Sequence, residues 1–137
     1  MNNYSAISQN MFLKKETYDF IKKLKINKIN YLFFEALIEF DELEFIHIIE
    51  TVNIPPSLLT YALELLGLWS TKSDDAVIKQ IILPFLYNQN DIIVEGALIG
   101  LSRFIDDYRI KNRFVELSIK HNNSIIRNIA KEFINNL

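Results

Sequence analysis

Cysteine is absent from the 137-residue chain, which excludes disulfide frameworks, thiolate metal sites and thiol nucleophiles. Glycine and proline number three each, too few for a β-sandwich or barrel with a turn in every repeat. Histidine occurs twice and tryptophan once. No glycine-rich phosphate loop exists, because Gly67, Gly96 and Gly100 all fall inside stretches with helical periodicity. No apolar run approaches the roughly 18–20 residues of a membrane span. The segment Met1–Ile7 has neither a basic nor an apolar signal region, so no secretory signal and a cytoplasmic location are expected. Basic excess is missing too. The net charge is −2, whereas a nucleic-acid binder of this size is expected to be strongly cationic.

What is present is the balance of a folded domain, with 50% apolar and 23% charged residues. Apolar residues recur at three and four along most of the chain, and the breaks fall at Asp, Asn, Ser and Pro. This predicts an all-α fold with helices near 13–25, 30–40, 42–52, 56–69, 74–87, 91–104, 107–120 and 124–136. Connections this short are expected to fold consecutive helices into antiparallel hairpins. Pro84 should kink its helix. Residues 1–137 read as one domain, with a capping region at 1–29 and about three and a half repeats over 30–137.

The repeat is carried by one register. Ala36, Ala62, Ala97 and Ala130 are each preceded at four residues by Leu32, Leu58, Ile93 and Ile126. Each is followed at four residues by Phe40, Leu66, Leu101 and Ile134. Six residues before each alanine stand Asn30, Pro56, Asp91 and Ser124, all helix-opening types. A large–small–large row lets a neighbouring helix approach at the small residue. Gly96, Ala97 and Gly100 extend that small patch.

The segment Asn123-Ser124-Ile125-Ile126-Arg127-Asn128-Ile129-Ala130 resembles the first-helix motif of HEAT repeats, and Asp91–Ala97 resembles it without the arginine. The resemblance implies a short right-handed α-solenoid, a stack of about seven or eight helices with a concave face that holds other macromolecules.

Charge is segregated along the chain. From Ile29 to Thr71 there is no lysine or arginine, and Glu35, Glu39, Asp41, Glu42, Glu44, Glu50 and Glu64 give this stretch a formal charge of −7. Residues 1–28 carry +4 and residues 72–137 carry +1. Self-repulsion at this density is offset most simply by a cationic partner. Helical geometry places Glu44, His47 and Glu50 on the polar face of 42–52. Lys79, Gln80, Leu83 and Tyr87 fall on the outer face of 74–87, and Arg109, Arg113, Glu116 and Lys120 on that of 107–120. Stacked as second helices, these would form a groove running from acidic through aromatic to basic. The candidate partner-binding residues are therefore Glu39, Asp41, Glu42, Glu44, His47, Glu50, Gln80, Tyr87, Arg109 and Arg113.

No catalytic constellation is visible, and neither a cofactor nor a metal is expected. Glu44, His47 and Glu50 match no ligand spacing and read as a histidine in an acidic surface patch. Trp69 reads as a core plug, and Lys14, Lys15, Lys22, Lys23, Lys25 and Lys28 as a solvated cap face. Three functions follow. The first is an inhibitor of a basic, nuclease-type toxin, since the chain is similar in profile to bacterial immunity proteins. The second is an adaptor gripping a basic peptide or helix. The third is a HEAT-like nucleic-acid binder or glycosylase, which would need more cationic surface than residues 107–120 supply.

Overall fold

The computed structural model describes residues 28–136. These residues are all-helical: α1 (Lys28–Phe40), α2 (Glu42–Thr51), α3 (Pro56–Trp69), α4 (Asp75–Ile82), α5 (Asp91–Leu101), α6 (Tyr108–Lys120) and α7 (Ser124–Asn135). Short 3-10 turns follow α4 at Leu83–Tyr87 and α5 at Ser102–Phe104. The helix expected at 13–25, with its lysines, lies outside the described residues.

The helix starts are set by side chains that satisfy otherwise orphaned N–H groups. Asp41 caps α2 by accepting from the Glu44 N–H at 3.3 Å. Asn90, Asp107 and Asn123 do the same for α5, α6 and α7 through the N–H groups of Ile92, Arg109 and Ile125. The openers thus stand one residue before Asp91 and Ser124. Helix α3 starts on proline instead, with Pro55 at the cap and Pro56 inside, where a missing N–H costs nothing. Pro84 cannot donate to the carbonyl one turn back, so the α-helix expected to run to 87 with a kink stops at Ile82 and tightens into the 3-10 turn.

Helix α3 is the hub. It contacts α1 on one side and α5 on another, α5 contacts α7, and α6 contacts α7. The α3–α5 seam is the most extensive, and its cause is the absence of Cβ atoms. A Cβ at Gly67 would stand 1.8 Å from the Gly100 carbonyl oxygen. One at Gly100 would stand 2.4 Å from the Leu63 carbonyl oxygen, and one at Gly96 would stand 2.1 Å from Thr60 Oγ1. The two backbones therefore touch directly, and Thr60 Oγ1 donates across the seam to the Ile92 carbonyl at 2.6 Å. Ala62 and Ala97 are fully buried in the same core, flanked by Leu58, Leu66, Ile93 and Leu101. In α7, Ile126 and Ala130 are buried and Ile134 is half-buried. Three of the four repeat units therefore hold the expected register.

The first unit does not. Leu32, Ala36 and Phe40 are exposed, Phe40 to 76%, and Asn30 is buried inside α1 rather than opening it. The buried face of α1 is Phe34, Leu37 and Ile38, with the Phe34 ring edge-on to Phe45 of α2 at 5.5 Å. Because α1 is apolar on nearly every side, a row spaced by four does not decide which side is covered.

The carboxyl end of α3 is closed by Arg103. Its Nε donates to the Gly67 carbonyl, Nη2 reaches Ser70 Oγ at 3.4 Å, and Nη1 pairs with Asp75 at 3.4 Å. Its guanidinium also lies 4.0 Å from the centre of the Phe104 ring. A cation at this end of a helix satisfies free carbonyls and opposes the dipole. Gly67→Ala should lower unfolding stability by about 3 kcal/mol in urea titrations, since backbone atoms must move to admit the methyl group. Leu68→Ala, at an exposed neighbour, should change it by less than about 1 kcal/mol. Equal effects of the two would contradict the seam.

Candidate functional site

Two of the expected contact residues are not on the surface. Glu42 is 2% and Glu44 4% exposed. Most of the ten-residue helix α2 is covered, so its polar positions do not form one outward stripe. Glu42 instead acts as an anchor. One carboxylate oxygen accepts from the Thr71 N–H at 2.9 Å and the Lys72 N–H at 3.4 Å, and the other accepts from Ser73 Oγ at 2.5 Å. The turn between α3 and α4 is thereby tied to the start of α2. Asp41 is consumed as the α2 cap. Only His47 and Glu50 of the polar set on α2 remain exposed.

Glu50 does meet the residues expected of it. Together with Ile49 of α2 and Val77, Gln80, Ile81, Pro84 and Phe85 of the α4 segment, it lines a groove of about 450 Å³. Tyr87 and Arg113 also come together: the guanidinium lies 4.0 Å from the Tyr87 ring centre. Arg113 is mostly enclosed, because Nη2 donates to the Leu86 carbonyl at 3.1 Å and Nη1 pairs with Glu116. It joins two elements more than it offers charge. Arg109 is exposed and lies 3.7 Å from Asp107. Asp107 also receives Lys79 at 2.9 Å, and that hydrogen bond holds its carboxyl below the usual carboxylate range. The basic end of the expected groove is thus largely neutralised by local pairs.

A second groove, which the periodicity did not single out, lies between α1 and α3. Its volume is about 600 Å³, and it is lined by Glu35, Ile38, Glu39, Tyr61, Leu65, Trp69 and Thr71. Trp69 is 66% exposed at its edge, not a core plug. Near the carboxyl end of α3 the buried side is already taken by Leu65, Leu66 and Gly67, and the close seam beside Gly67 leaves no volume for an indole. Tyr61 donates a short hydrogen bond to Glu35, and the Tyr31 ring stands edge-on to Tyr61 at 4.9 Å. Burial, with the Glu35 carboxylate adding to it, pushes the Tyr61 phenol up to about 12. The only lysine of the neighbouring turn, Lys72, gives its ammonium to the Glu39 main-chain carbonyl at 3.1 Å, and neither Glu35 nor Glu39 forms an ion pair among the described residues.

Glu64 of α3 faces Glu95 of α5, and burial together with that second carboxylate raises its pKa. His121 lies beside Asp91 at 3.4 Å and accepts from the Asn123 N–H, so it belongs to the α6–α7 turn. Arg127 donates to the carbonyls of His121 and Asn122 in the same turn, at 2.6 and 3.0 Å. Among the described residues no cluster of three or more histidine or acidic side chains is placed to hold a metal ion, and no helix is long and apolar enough to cross a membrane.

No protein-family model, curated protein or solved structure matches this chain.

Glu42 generates a test. Burial alone would raise its pKa, but the hydrogen bonds from Ser73, Thr71 and Lys72 outweigh this and leave it lowered. A group whose folded pKa is depressed stabilises the fold above its unfolded value and loses that contribution as the pH falls through the folded one. Glu42→Gln should therefore cost about 1–3 kcal/mol at pH 7. The gap to the parent should narrow as the pH falls below the ordinary value of 4.5 in urea titrations. A gap constant from pH 7 to pH 3 would contradict the assignment.

Proposed function

We propose that this chain is a protein-binding module for a cationic partner, and that its biological role is inhibition of a basic, nuclease-type bacterial toxin in the cytoplasm. The observation that carries the reading is the run from Ile29 to Thr71. It contains no lysine or arginine, and after its buried and capping acids are set aside it leaves Glu35, Glu39 and Glu50 exposed at two grooves. Exposed carboxylates that form no ion pairs produce a negative potential that speeds encounter with a positive surface. A nuclease must carry positive charge where it binds phosphates, so an acidic surface of complementary shape can occupy its active site.

The architecture that suits this role is a short right-handed HEAT-like α-solenoid of hairpin units. Support comes from the succession of contacts α1–α3–α5–α7 and from the register shared by Leu58–Ala62–Leu66, Ile93–Ala97–Leu101 and Ile126–Ala130–Ile134. In that arrangement α2, α4 and α6 form a second row of helices, with Glu50 and Gln80 exposed on the first two and Tyr87 exposed on the 3-10 turn after α4.

The test is affinity capture from the source cell with the full chain, followed by binding measurements on the captured protein. The expected partner has a large excess of lysine and arginine, inhibited nuclease activity in the complex, and elution near 0.5 M salt, where the Debye length is about 4 Å. Glu39→Lys combined with Glu50→Lys should weaken that complex more than tenfold. A partner without basic excess, or a charge-reversed chain that binds within threefold of the parent, would contradict the reading.

A further inference from the structure

Trp69 is the only tryptophan in the chain, and it stands two-thirds exposed where a groove meets solvent. Around it the α1 wall supplies Glu35 and Glu39, one turn apart, and the α3 wall supplies Tyr61 and Leu65. We propose that this α1–α3 groove is the receptor for an arginine side chain presented by the partner, with the guanidinium stacked on the Trp69 indole and its N–H groups held by Glu35 and Glu39. The proposal rests on the cationic-partner reading above and names what that partner inserts.

Four observations converge on it. First, neither carboxylate forms an ion pair among the described residues: Lys72 is turned to the Glu39 main-chain oxygen. Second, the Glu35 carboxylate is already oriented by the Tyr61 hydroxyl, whose ring is braced by Tyr31. The phenol stays protonated far above neutrality, so it keeps its donor role at every physiological pH. Preorganisation of this kind removes part of the ordering cost of binding.

Third, the combination of a flat aromatic surface with two acceptors about 5–6 Å apart at their Cβ atoms selects a planar, forked cation. A guanidinium can stack on an indole and still direct N–H groups at two carboxylates, whereas a compact ammonium does one or the other. The chain already uses this chemistry internally, with Arg103 on Phe104 and Arg113 on Tyr87 at 4.0 Å each. Fourth, a volume of about 600 Å³ admits the arginine together with neighbouring atoms of the segment that bears it. Tryptophan, tyrosine and arginine are also the residues in which interface binding energy concentrates.

Because Trp69 is the sole tryptophan, its fluorescence reports the groove directly. The full chain is titrated with three alanine-based helical peptides that differ only in carrying arginine, lysine or uncharged citrulline at the same positions. The arginine peptide should change Trp69 emission saturably, with a Kd at least fivefold below that of the lysine peptide and tenfold below that of the citrulline peptide. Glu35→Gln combined with Glu39→Gln should raise the arginine-peptide Kd about tenfold. Glu39→Gln alone, which leaves the Tyr61 hydrogen bond in place, should raise it about threefold with an unchanged melting temperature. Equal Kd values for the three peptides, no saturable emission change, or parent-like binding by the Glu39→Gln variant would overturn the proposal. Failure here, with the salt-sensitive complex and its response to charge reversal intact, removes the arginine receptor and leaves the cationic-partner reading standing.

Discussion

The structure depends on the close approach of two helix backbones, made possible by glycine. Helices α3 and α5 meet at Gly67, Gly96 and Gly100, where any Cβ would overlap main-chain or Thr60 atoms of the facing helix. That approach draws Ala62, Leu63, Ala97 and Leu98 into full burial. It also fixes what each side of α3 can do. One side is consumed by α5, the carboxyl end is closed by Arg103, and the large residues of its last turn are driven outward. Trp69 and Leu68 are exposed because the interior beside Gly67 has no room for them, which ties the candidate groove to the packing that creates it.

The acidic residues divide by the same logic. Asp41, Asp107 and Glu42 are spent on backbone N–H groups at helix starts and in the α3–α4 turn. Asp75 and Asp91 take part in contacts between elements, through Arg103 and Asn123. Of the seven acids between Ile29 and Thr71, Glu35, Glu39 and Glu50 remain exposed and form no ion pair among the described residues. A formal charge of −7 over the segment therefore overstates the charge available to a partner, and it is the positions of the three outward carboxylates beside grooves that give the surface its proposed selectivity.

Most of the helical architecture was legible in the sequence because helix ends carry local signals. The openers read at Asp91 and Ser124 fall one residue after the true caps, Asn90 and Asn123, and the effect expected of Pro84 is internal to one residue, although it ends the α-helix where a kink was expected. The glycine-rich contact of α5 was legible for a similar reason, since small residues in a helix have few uses other than close approach. Legibility failed where several apolar faces compete. In α1 the row Leu32–Ala36–Phe40 has the same spacing as a core row and is nonetheless exposed. In α2 the polar identity of Glu42 and Glu44 pointed outward, but tertiary bonds from the 71–73 turn make burial of Glu42 favourable. Trp69 was misplaced because burial of large aromatics is a tendency that a glycine-made seam next door can override. Exposed aromatics near acidic residues at i and i+4 on a neighbouring helix are the signal that would have found the α1–α3 groove.

If the α3–α5 seam organises the molecule, its amides should be the last to open. Native-state hydrogen exchange followed residue by residue tests this directly. The amides of 63–67 and 97–101 should exchange together, more slowly than those of α1, α4, α6 and α7, at a rate set by global unfolding. Exchange of either seam segment before α6 and α7, or at two clearly different rates for the two segments, would contradict the central place given to that contact.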